Sequence, residues 1–121
     1  NWNPNMFRFG MMPPHPSFYC RRELFLKYGL YRTDFKIASD YELMLRFFKV
    51  HCINYEYLPI TIVSMKLGGI STNGLASLKI INREIMRASR LNNFSTIYFF
   101  ICLRFISKVI QLFFLNKKEA I

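Results

Sequence analysis

Apolar and polar positions change rhythm several times along the chain, and each change marks an element. "RRELFLKYG" (Arg21 to Gly29) predicts a short helix closed by Gly29, since glycine readily takes the left-handed backbone that ends a helix. "SDYELMLRFFK" predicts a second helix from Ser39 to about Lys49, with Leu43, Met44, Phe47 and Phe48 on its apolar face. Ser39 and Glu42 have the S-x-x-E spacing of a capping box, and Asp40 and Glu42 fall in the first turn, where the helix dipole favours negative charge. "CINYEYLPITIVSMKL" (Cys52 to Leu67) is rich in β-branched and aromatic residues and is broken by Pro59. It predicts two short extended segments, followed by a tight turn at Gly68–Gly69. From about Leu75 to Leu91 a helix is expected. Leu78, Ile81, Ile85 and Ala88 line one face, Lys79, Arg83, Arg87 and Arg90 another, and Asn92–Asn93 ends it. The opening to Pro16 has no period and reads as loop, while "SFYC" (Ser17 to Cys20) fits either a buried strand or a helix entry.

The last element, Phe94 to Leu115, is almost wholly aromatic and aliphatic. Its longest charge-free run, Leu91 to Leu103, is too short for the roughly 20 residues that span a bilayer. Arg104, Ser107, Lys108 and Gln111 make a narrow polar stripe, so an amphipathic helix at a membrane interface, or against another segment, is the expectation. Composition agrees with a folded chain: 121 residues, 52% hydrophobic and 17% aromatic, amount to one small domain and exclude disorder. Thirteen Phe and seven Tyr ask for a dense core or for apolar surface with a partner. The opening "NWNPNMF" reads as the middle of a longer protein.

Charge narrows the partners. The formal net charge is +10, concentrated in residues 79–121, which carry eight Lys/Arg against two Asp/Glu. Such an excess favours phosphates, nucleic acid or an acidic membrane surface. Cys20, Cys52 and Cys102 are odd in number and widely spaced, so buried free thiols in a reducing compartment are expected rather than disulfides or zinc. His15 and His51 lack metal-site spacing. With Asp34 and Asp40 the only aspartates, an Asp-x-Asp cation site cannot be built from this chain. Phosphate-binding glycine loops, a nucleophile elbow and H-E-x-x-H are absent.

The order of features nevertheless resembles a known family. "MPPHPSFYCRRELFLKYGLYRTDFKIASDYELMLRFF", then two extended segments and "LGGIST", is similar to the acceptor-side part of family 2 glycosyltransferases. The resemblance covers Met12 to about Thr72. It implies an α/β fold: the acceptor-binding half of an incomplete GT-A-type domain, with short strands and helices over residues 1–74. A C-terminal segment of basic and aromatic amphipathic helices would follow over 75–121. It further implies that Asp40 is the general base, taking the proton of an acceptor hydroxyl as that oxygen attacks and inverts the anomeric carbon. His15 falls at the family's His-Pro position, and Gly68, Gly69 and Ser71 at a loop near the donor side. These four are the expected substrate-binding residues.

The donor would be a nucleotide sugar and the acceptor a glycan or lipid-linked sugar. A divalent cation (Mg or Mn) is expected in the full-length enzyme and no cofactor in this fragment, which lacks the nucleotide-binding half and is expected to be inactive alone. The expected location is cytoplasmic, peripheral at the inner face of the membrane. The alternative is a non-catalytic, membrane-associated or nucleic-acid-binding basic module, in which Asp40 only caps a helix. Nucleic acid is the less favoured partner, because no binding motif accompanies the charge.

Overall fold

The computed structural model describes residues 2–64, 74–103 and 106. Its α-helices are α1 (Arg22–Tyr28), α2 (Ser39–Leu45) and α3 (Gly74–Leu91), and residues 98–103 are also helical. α2 continues as a π-helical turn, Arg46–Val50, so the helical rod runs as far as its apolar period predicts. The opening is not a loop. Pro4–Phe9 is a 3-10 helix, started by Asn3, whose Oδ1 accepts from the Asn5 amide at 2.8 Å, and stopped by Gly10 at φ 69°. Its three-residue turn hides it from a search for the 3.6-residue period. A second 3-10 turn, His15–Ser17, precedes an irregular link over 18–21, so "SFYC" is neither strand nor helix.

The α/β expectation fails: the fold is helical, with no strand among the described residues. The GT-A-type half-domain with short strands is therefore withdrawn. A strand exists only through a neighbouring backbone that exchanges hydrogen bonds with it. Over residues 52–64 the backbone bonds run from the Ile53 amide to the Phe47 carbonyl (3.1 Å) and from the Ile60 amide to the Leu58 carbonyl (2.8 Å). The second closes a tight turn over Pro59. β-Branched and aromatic composition without a partner leaves an exposed, irregular arm.

The core joins both ends of the chain. Phe7, Phe35, Ala38, Tyr41, Met44, Leu45 and Phe48 meet Ile85 and Ala88 of α3 and Ile101 beyond it. Phe7 packs edge-on against Trp2 (5.4 Å between ring centroids) and Tyr41 (5.3 Å), the favoured geometry for aromatic pairs. On the other side of α2, Phe47 meets Phe25 and Tyr28 of α1. α2 is thus buried nearly all round, and the polar groups it carries inward need partners. Glu42, 2% exposed, accepts from Arg46 Nε and Nη2 at 3.1 Å each and from Asn92 Nδ2 at 3.1 Å. Arg46 in turn donates to the carbonyls of Tyr28, Gly29 and Leu30. One ion pair therefore ties α2 to the ends of α1 and α3.

The cysteines depart from expectation: Cys20 and Cys102 are half-buried and Cys52 is exposed, all unpaired. No described helix is long and apolar enough to cross a membrane.

Candidate functional site

Asp40 lies in the first turn of α2, and its neighbours on both sides are fixed to other parts of the fold. Tyr41 donates its hydroxyl to the Phe7 carbonyl at 2.7 Å inside the core. Ser39 Oγ donates to the Arg32 carbonyl at 2.8 Å, so it does not cap α2 and the predicted capping box does not form. A side chain of α3 instead secures the segment that leads into α2. Glu84 accepts from the amides of Lys36 (2.7 Å), Ile37 (2.9 Å) and Ala38 (2.8 Å), satisfying donors at the entry to α2. Burial alone would raise the Glu84 pKa, but the three amides and nearby Arg87 outweigh it and hold the carboxyl below its usual range.

The loop into α2 is gripped a second time. Asp34 accepts from Arg32 Nε and Nη2 at 3.0 Å each and from Arg87, with Arg32 foremost in holding its carboxyl well below the usual range. Arg87 also covers the Phe35 ring at 4.7 Å.

The described acids therefore sort by use. Asp34, Glu42 and Glu84 are consumed by structural partners, and Glu23 and Glu56 stand exposed at the surface. Asp40 differs from both groups. Its side chain is 29% exposed, accepts no hydrogen bond from the described residues, and faces His15, whose Nε2 lies 3.7 Å from Asp40 Oδ2. The fold thus brings together two of the residues singled out in the sequence. His15 was expected to bind substrate; the folded chain further shows that its turn brings it to Asp40. Tyr31 belongs to the same neighbourhood. Its hydroxyl is pushed above the usual range, first by burial and then by Asp40 and Cys20.

No known protein family, curated protein or solved structure matches the chain.

Gly68, Gly69 and Ser71 lie outside the described residues. Among the described residues no three His, Cys, Asp or Glu side chains converge on a point that would hold a metal ion. Beside the Asp40 site, a broad cleft of about 1230 Å³ separates residues 13–28 from the arm over 51–62. Neither Asp40 nor His15 lines it. Pro14 and Ser17, which flank His15 in its turn, do, and so does Cys20. The turn that holds His15 thus touches both the cleft and Asp40, a relation that sequence spacing does not reveal.

Proposed function

We propose that this chain supplies the acceptor-side part of an inverting glycosyltransferase of glycan or polysaccharide synthesis, with Asp40 as its general base. The observation that carries this is the state of Asp40: a partly exposed carboxylate, held by anchored neighbours, that accepts no hydrogen bond from the described residues. A general base must be ionised, reachable and fixed in place. Asp40, rather than the overall fold, supports the reading, together with the sequence resemblance of residues 12–48 to family 2 enzymes.

In the reaction, the acceptor hydroxyl oxygen attacks the anomeric carbon of a nucleotide sugar from the face opposite the leaving group. The new C–O bond forms as the bond to the nucleoside diphosphate breaks, and Asp40 takes the hydroxyl proton. His15, across the carboxylate, orients it. The test is product stereochemistry: the native full-length protein, given nucleotide sugars and a glycan acceptor, should release nucleoside diphosphate and form a glycoside of inverted configuration by NMR. A retained configuration would contradict a single displacement assisted by a base.

A peripheral membrane position at the cytoplasmic face fits the same reading. Tyr98, Phe99, Leu103 and Ile106 are 46–67% exposed around the helical stretch after α3, an apolar patch of the kind that enters a lipid interface.

A further inference from the structure

The cleft beside the site has an unusual lining for so basic a chain. Among its described residues, Arg21 is the only Lys or Arg and Glu56 the only acid, so its full charges balance within a protein of net charge +10. A polyanion would find no counter-charge there. The surface is instead aromatic with polar edges. Tyr19 and Tyr57 are 71% and 69% exposed, Tyr55 is 49% exposed, and Tyr28 stacks on His51 at 4.0 Å and 18°.

Exposed phenol rings offer flat apolar faces and hydroxyl rims, which suit a ligand that alternates C–H faces with hydroxyls. At about 1230 Å³ the cleft exceeds the few hundred to about 1,000 Å³ typical of sites for one small molecule. We infer that it binds a neutral oligosaccharide of several rings, which would be the acceptor chain. This rests on the sugar-transfer reading for the ligand's identity as acceptor, whereas binding is measurable apart from transfer.

Trp2 lines the cleft as the sole tryptophan, with its ring 5.6 Å from that of Tyr55, so its emission reports on occupancy. The full chain is titrated with chitohexaose, cellohexaose and maltohexaose, and separately with decaproline and an oligodeoxythymidylate. The expected result is a saturable change with at least one hexasaccharide and none with its monosaccharide. Tyr57→Ser, at an exposed ring outside the core, should weaken that binding by about tenfold, which is the loss of about 1.4 kcal/mol. A saturable response to none of the three sugars, or to decaproline or the oligonucleotide in their place, overturns the inference. So does an unchanged affinity in Tyr57→Ser. Asp40→Asn separates the two readings: it should keep sugar binding while losing transfer. A cleft that binds no sugar leaves Asp40 as base standing, and a variant that still transfers leaves the cleft standing.

Discussion

Glu84 shows at the scale of one residue how the candidate site is built. Its carboxylate gathers three consecutive amides just ahead of α2, an anchoring of the helix entry that the Ser39–Glu42 capping pattern does not supply. Glu84→Gln keeps the shape but places an amide donor against backbone donors, and should cost about 2 kcal/mol of stability in urea denaturation. The pH dependence has a definite sign. The folded-state pKa is depressed, so Glu84's contribution is complete above its unfolded value of about 4.3 and is lost as pH falls through the lower folded value. The native chain should therefore lose stability on acidification below about pH 4.3, and Glu84→Gln should show a shallower loss. Equal slopes would mean that the amides do not discriminate the ionised form. Sequence could not show this anchor, because its partners lie 46 to 48 residues apart. Asp40 was legible as the start of a helix and as a motif position, but its approach to His15 and its lack of hydrogen bonds from the described residues depend on the fold.

Among elements, α2 organises the rest, and the Glu42–Arg46 pair is its clasp. Here the i,i+4 spacing was readable, but its burial was not, since apolar periodicity marked only one face of α2. Arg46→Ala would leave Glu42 buried without a counter-charge and three carbonyls without a donor, a loss expected at roughly 3–5 kcal/mol. Chemical denaturation checks it, and a change under about 1 kcal/mol would reduce the pair to the status of a surface ion pair. Gly29 belongs to the same clasp. It sits at φ 92°, and an added Cβ would lie 3.0 Å from Arg46 Nη1. Gly29→Ala should destabilise by about 1 kcal/mol or more, through backbone strain and displacement of the guanidinium. The helices themselves were the most legible elements: the positions of α1, α2 and α3 follow from period and stop signals. The arm over 52–64 was misread because β-propensity describes a fit to a pleated surface and cannot create the neighbouring strand.

Across the whole molecule, one core and two surfaces emerge. The core uses aromatic rings from the 3-10 opening and α2 against small and aliphatic residues of α3. That accounts for part of the Phe and Tyr content; among the described residues, Tyr19, Tyr55 and Tyr57 lie outward on the cleft, and Tyr98 and Phe99 on the apolar patch after α3. The patch makes a testable contact. Native protein should sediment with vesicles containing phosphatidylserine more than with phosphatidylcholine alone, and added salt should weaken it. The double substitution Tyr98→Ser and Phe99→Ser should reduce the bound fraction severalfold, and undiminished binding would place the contact elsewhere. The fold class was not legible because the helical elements were read through a resemblance that supplied strands. Of the features behind that resemblance, the strands are absent among the described residues, while Asp40 keeps its place at the start of α2.

The central claim is that Asp40 is held ready by the fold without contributing to it. It is tested most directly by measuring turnover and unfolding on the same samples of native protein and Asp40→Asn. With no hydrogen bond from the described residues to lose, the variant should stay within about 1 kcal/mol of native stability, the size of a helix-dipole effect. Its rate of sugar transfer should fall by about two to four orders of magnitude, the usual worth of a general base. Transfer within about twofold of native, in a variant equally stable, would contradict the account and leave Asp40 as the polar start of a helix.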